Sequence, residues 1–243
     1  ATDAARELGL YDGTNKMTED KAIRMVRELD HPSIYTTSEN TIGWISKHLA
    51  FTELPEKIEL FKDKLKFREL TQHIFPDFFF RGVPVEDLEK IPFEELPLPF
   101  IIKPTIGFFS MGVYKVSSFA EWENTIELIS AEMEQVKNLY PEEVLDTGAF
   151  IIEQCIEGEE FAVDAYFDAA REPVILNILR HTFASEADVS DRVYTTSRAI
   201  IEAHLPEFTA FIGEIGRLAA VKNFPVHVEL RRGGDGVLLP IEV

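Results

Sequence analysis

The chain has 243 residues and a formal charge of −19, from 24 Lys plus Arg against 43 Asp plus Glu; so acidic a surface repels phosphate backbones and excludes a general nucleic-acid binder. A hydrophobic content of 45% excludes a chain disordered for want of core material, and the length allows one large domain or two small ones. No apolar run approaches the roughly 18 residues that span a bilayer, no basic-then-apolar leader opens the chain, and the lone Cys155 cannot form an internal disulfide, so a reducing, cytoplasmic setting is expected.

Lys21–Leu29 and Ser38–Leu49 read as helices, with Ile34–Thr37 as a short strand between them. Ile58, Phe61, Leu65, Phe67, Leu70 and Ile74 recur at helical spacing, which predicts one helix of about four turns, ended by Pro76. Prolines 84, 92, 97 and 99 make residues 81–99 an extended connection. Leu98–Pro104 is then a buried strand, Thr105–Gly112 a glycine-containing loop and Val113–Val116 the return strand of a hairpin. Ser118 and Glu121 form a capping-box pattern ahead of an apolar stripe from Phe119 to Val136, ending near Tyr140-Pro141. Strands follow over Ala149–Cys155, Phe161–Asp168 and Val174–His181, then a helix over Leu205–Val221, then strands Val226–Arg232 and Val237–Val243 around four loop residues. This order predicts an α+β fold with mostly antiparallel sheets rather than a βαβ series.

Three constellations carry chemistry. Lys103 ends a buried strand, a costly place for a cation without an anionic partner, and the loop behind it offers glycine backbone and Ser110 for cradling phosphates. An ordinary hairpin with a snorkelling lysine is the alternative. Second, Phe150–Glu160 leaves the core and turns at Gly158, presenting backbone groups to a flat heterocycle and a carboxylate to ribose hydroxyls, or forming a solvated acidic turn. Third, a four-residue loop in the last hairpin sets Arg232 against Val237 and His227 against Glu242. Glu229 and Glu242 then share a face diagonally with His227 and Arg231, while Leu239 and Ile241 face the core. Two such carboxylates repel unless a proton or cation lies between them, and hard oxygen ligands suit Mg²⁺; a solvent-facing polar side neutralised by His227 and Arg231 is the alternative.

The segments KDKLKFREL, PFIIKPTIGFFSMGV, FIIEQCIEGEEFAVDAYFD and HVELRRGGDGVLLPIEV, in this order over about Phe61 to Val243, closely resemble the ATP-grasp superfamily of ATP-dependent ligases. The resemblance implies two α+β subdomains gripping a nucleotide: 58–148 as the small one, 149–243 as the large one, and 1–57 as the remnant of a preceding region. It implies that Lys64 and Lys103 meet phosphates, that Ser110, Met111 and Gly112 close over them, and that Glu153, Gln154, Cys155 and Ile156 form the adenine-reading hinge. Glu160 would take the ribose, and Glu229 and Glu242 would hold Mg²⁺, with Mn²⁺ as a substitute. Arg231 and Lys103 are expected to act at the transferring phosphoryl group. Arg192, His181 and His227 are weaker expectations for substrate contact, with 181–197 as the substrate-specific insertion. The family continues past the last glutamate into Asn-Pro-Arg, so the chain reads as cut before that motif.

The implied reaction is phosphorylation of a carboxylate by ATP, followed by displacement of phosphate by an amine, as in the amino-acid-ligase and carbamoyl-phosphate-synthetase-like branches. The chemistry rests on positioning and charge neutralisation, so Cys155 is not needed as a nucleophile. Small carboxylate and amine substrates are the expected partners, without nucleic acid or membrane, and with a homodimer as the expected assembly. Two rivals stand beside the ligase: a nucleotide-binding module without turnover, and an interaction protein that keeps only the fold.

Overall fold

A computed structural model describes residues 17–29, 32, 34–36, 39–107, 112–136, 148–183 and 193–243. The chain divides into two compact units, 1–33 and 34–243. In the first, α1 (Glu19–Glu28) starts at Thr18, whose hydroxyl accepts from the Lys21 N–H at 3.4 Å, and it carries Glu19 and Asp20 where the helix dipole favours negative charge.

The second unit opens with α2 (Glu39–His48), α3 (Leu54–Lys62) and α4 (Lys64–Thr71). The single helix predicted from Ile58 to Ile74 is therefore two. Asp63 stands extended between them, and its carboxylate accepts from the N–H groups of Leu65 at 2.9 Å and Lys66 at 3.3 Å. That side chain competes with the helix backbone and caps the start of a second helix. Ile34–Thr36 carry no strand.

The connection predicted over 81–99 instead contains β1 (Phe80–Pro84) and two 3-10 turns, Val85–Lys90 and Phe93–Glu95. Proline is tolerated because β1 is an edge strand and Pro84 is its last residue. Next come β2 (Phe100–Pro104), β3 (Tyr114–Val116), α5 (Phe119–Val136) and β4 (Ala149–Gln154). Glu121 accepts from the Ser117 N–H and donates its own N–H to Ser118, close to the expected capping box. The first sheet has the order β1-β4-β2-β3, every pair antiparallel. Strand period sends Phe100, Ile102, Phe150 and Ile152 into a core with Trp122 and Ile129 of α5. It turns Ile101, Lys103, Ile151 and Glu153 to the opposite face.

The second sheet is β5 (Glu159–Phe167), β6 (Pro173–His181), β7 (Tyr194–Thr195), β8 (Phe224–Arg232) and β9 (Leu238–Glu242), in the order β7-β6-β5-β8-β9. Strand β4 is an inner strand of the first sheet and β5 belongs to the second, so the chain passes between sheets at 155–158. Phe161, Val163, Phe167, Val228 and Leu230 pack on Phe208, Ile212 and Ile215 of α6 (Arg198–Ala219), with Phe61 and Phe67 from α3 and α4. Helix α6 starts at the Ser197 cap, ahead of the predicted Leu205, and carries Pro206 within it. At Gly216 a Cβ would lie 2.0 Å from Phe167, so α6 approaches the sheet as closely as only glycine permits. Among the described residues no helix is long and apolar enough to cross a membrane.

The last hairpin departs from the predicted register. Arg232 pairs with Leu238 and Leu230 with Pro240, one residue further on than expected. A bulge at Ile241 adds a second residue, so Glu229 directly opposes Glu242 instead of lying diagonal to it. A one-residue slip exchanges the two faces of a strand. Leu238 and Pro240 are thus the buried residues, while Leu239 pairs with Arg231 on the other face.

Candidate active site

The non-core faces of the two sheets meet the start of α4 around a cleft of about 900 Å³, open mouth included. Lys64 comes from α4, Lys103 from β2, Glu153 from β4, Glu160 from β5, His181 from β6, Glu229 and Arg231 from β8, and Glu242 from β9. Gln154, Cys155 and Ile156 line the cleft where the chain crosses between sheets. Its mix of apolar wall with converging polar groups suits a small organic ligand.

Lys64 is fixed by its backbone first. Its N–H donates to the Thr105 carbonyl at 2.8 Å, which joins the start of α4 to the loop after β2. Its ammonium then lies 2.9 Å from Glu242 Oε2 and 3.4 Å from the Gly107 carbonyl. Burial raises the Glu242 carboxyl, but Lys64 and then Lys103 outweigh it and hold the group below the usual carboxylate range.

A second ion-pair node lies beside it. Glu153 is buried, with Oε1 at 2.5 Å from the Lys103 ammonium and Oε2 at 2.8 Å from Arg68 Nε. Burial pushes its carboxyl up; Arg68, then Lys103, overcome this and bring it to about 2. Arg68, 2% exposed, also donates to the carbonyls of Pro240 at 2.6 Å and Ile241 at 3.4 Å. One guanidinium therefore ties α4 to both sheets. The Glu153 side chain is thus an ion-pair centre on the cleft wall.

At the sheet crossing, Gln154 exchanges hydrogen bonds with Phe79, and the Cys155 N–H donates to the Pro99 carbonyl at 3.3 Å. The Ile156 carbonyl accepts from Arg231 Nη1, while the Ile156 N–H has no hydrogen-bond partner among the described residues. Arg231 also forks onto Glu160 Oε2, from Nε and Nη2 at 2.8 Å each, and lies over the Phe183 ring at 5.4 Å. Its bonds are thus at the crossing, and Lys64 supplies the cation on Glu242. His227 is exposed, with Nδ1 at 2.8 Å from Asp164 and Nε2 at 4.0 Å from Glu229, and it does not line the cleft.

Gly112, at φ 69°, precedes the cleft-lining Val113. Ser110, Met111 and Arg192 lie outside the described residues. The sequence reading missed Arg68 and Phe183. Arg68 had a signal, since it follows Lys64 by four residues on one helix face.

Among the described residues no three His, Cys, Asp or Glu side chains cluster to hold a metal. The opposed Glu229 and Glu242 still fit Mg²⁺, which often binds through one or two carboxylates and completes its shell with water and phosphate oxygens.

A family model of the ATP-grasp domain matches residues 96–243, more than half of the chain. The chain belongs to the ATP-grasp family. Its two-sheet α+β architecture is the ATP-grasp fold. Solved structures agree at the level of fold. An L-amino acid ligase from Bacillus licheniformis superposes with a TM-score of 0.67 at 22% identity, over 93% of this chain and 54% of that one. An N5-carboxyaminoimidazole ribonucleotide synthetase, solved as its ADP complex, gives 0.59 at 15% identity over 94% and 57%. A D-Ala:D-Ser ligase from Enterococcus faecalis gives 0.54 at 20% identity over 74% and 51%. The chain spans about half the length of these proteins. No curated protein matches its sequence.

Proposed function

We propose that the protein is an ATP-dependent ligase that activates a small carboxylate for attack by an amine. One observation carries the reading: two buried lysines and two opposed glutamates converge on one cleft in a chain of the ATP-grasp family. Bound Mg²⁺-ATP supplies the phosphoryl group that makes the carboxylate an acyl phosphate, from which the amine displaces phosphate. Lys64 and Lys103 neutralise phosphate charge, each already aimed by its carboxylate partner. Glu229 and Glu242 hold the metal ion. Ile156 offers its N–H to the adenine edge. An amino acid is the first substrate class to try, because two of the similar structures are named as ligases of amino acids.

Calorimetry with ATP in the presence and absence of Mg²⁺ tests binding, and a phosphate-release screen over amino acids and small carboxylates tests turnover. Lys103→Ala and Lys64→Ala should each weaken ATP binding about 10- to 100-fold, the worth of a charge-assisted hydrogen bond. Unchanged affinity in both would remove the lysines from the phosphate site. A second reading, nucleotide binding without turnover, is favoured by the ion pair that places Lys64 on Glu242. ATP binding with no phosphate release across the panel would decide for it.

A further inference from the structure

Glu242 ends β9 and directly opposes Glu229 of β8. Two carboxylates so placed repel unless a cation stands by them. In this structure the cation is Lys64, whose ammonium lies 2.9 Å from Glu242 Oε2 and 3.4 Å from the Gly107 carbonyl. Among the described residues Glu242 forms no other ion pair. The neighbouring node is built differently. Glu153 is held by Arg68 as well as Lys103, so it retains a partner when Lys103 turns to another anion. Glu242 would lose its one ion-pair partner if Lys64 did the same, and stranding one charge of such a pair is costly.

Lys64 can exchange anions without moving its helix. It is the first residue of α4, and its backbone N–H is anchored on the Thr105 carbonyl at 2.8 Å. Its side chain is 8% exposed and lines the cleft, so its reach is into the cleft rather than to solvent. A compact ammonium on a flexible stem suits such a swing. We propose that Lys64 is the stand-in cation of the metal site: it neutralises Glu242 until phosphate draws its ammonium away, and Glu242 then takes a divalent ion in its place. This rests on the reading above that Glu229 and Glu242 hold Mg²⁺ while Lys64 meets phosphate. One side chain thereby couples the two ligands, each favouring the binding of the other, and the protein without nucleotide has little affinity for the metal.

The test measures Mn²⁺ binding to the full chain without nucleotide, from the free-ion electron paramagnetic resonance signal, in wild type, Lys64→Met and Lys62→Met. Methionine keeps an unbranched side chain and removes the charge. Lys64→Met should bind Mn²⁺ about tenfold more tightly than wild type, the worth of the charge-assisted hydrogen bond that no longer competes. Adding Glu242→Gln should cancel the gain. Lys62 is the control, because its charge acts on Glu242 more weakly than that of Lys64; its variant should stay within about twofold of wild type, as for a screened charge. Equal Mn²⁺ affinity in wild type and Lys64→Met, an equal gain in Lys62→Met, or a gain that survives Glu242→Gln overturns the inference alone. Wild type whose ATP affinity is indifferent to Mg²⁺ in calorimetry overturns the metal reading and the inference with it. Should Lys64→Met not fold, Lys64→Gln takes its place with the same expected gain.

Discussion

Arg68 shows how one side chain decides what its neighbours can do. It shares the buried Glu153 carboxylate with Lys103 and holds the carbonyls of Pro240 and Ile241. Removing one partner of a buried pair strands the other charge, so Arg68→Met should cost about 3–5 kcal/mol in urea unfolding. The pH dependence follows from the depressed carboxyl. Its folded value of about 2 lies below the ordinary 4.5. Its stabilisation is therefore complete above pH 4.5 and disappears as pH falls through 2. With Arg68 gone, Glu153 protonates at higher pH. The acid-unfolding midpoint of Arg68→Met, followed by circular dichroism, should rise relative to wild type; an unchanged midpoint would mean that Lys103 alone holds the carboxylate.

The elements place the site through two local irregularities. The first is the bulge at Ile241, which turns Glu242 back toward Glu229 after the register has shifted. Deleting Ile241 removes the extra residue and leaves Glu242 directly after the core-facing Pro240, still opposite Glu229, so any Mg²⁺ requirement of nucleotide binding, measured by calorimetry with and without the ion, should persist; its loss would show that the bulge itself shapes the metal site. The second is Gly158, where the chain crosses between sheets at φ +121° and a Cβ would lie 2.2 Å from the Arg232 carbonyl. Neither the conformation nor the space admits a side chain. Gly158→Ala should destabilise by about 3 kcal/mol or more, since backbone strain and a backbone clash add. An alanine variant of wild-type stability would show that the crossing relaxes freely.

At the scale of the whole molecule, the charge of −19 and a polyanionic ligand are reconciled locally. Much of the acidic surplus lies elsewhere in the chain; Glu121 to Asp146 alone holds eight acidic residues against one lysine. The cleft sets Lys64, Lys103 and Arg231 among four carboxylates, Glu153, Glu160, Glu229 and Glu242, so on the proposed reading the charge that meets phosphate there has to include the metal ion. Self-repulsion of the surface charge destabilises the compact state and is screened by salt. The melting temperature should accordingly rise by a few degrees between about 20 and 300 mM NaCl, where the Debye length drops well below 10 Å. A fall would show that surface ion pairs outweigh the net charge.

Much was legible in the sequence, for a physical reason. Apolar period and turn residues act locally, so α5, the β2–β3 hairpin, the alternation through β5 and the last hairpin could be read from neighbours in the chain. Four motifs in order sufficed for the family, and most of the residues they named line one cleft. What escaped depends on partners distant in sequence. Asp63 splits a helical pattern because its carboxylate finds two free N–H groups, which hydrophobic spacing does not record. Strand β1 is held by β4, about seventy residues further along the chain. The opposition of Glu229 and Glu242 hangs on one bulge residue. The ion-pair node joins α4, β2, β4 and β9 across up to 173 positions. The sequence by itself determined which residues carry charge and which strands expose them; only the tertiary structure decided which charges meet, because the energy of a buried ion pair depends on distance and burial that no local pattern encodes.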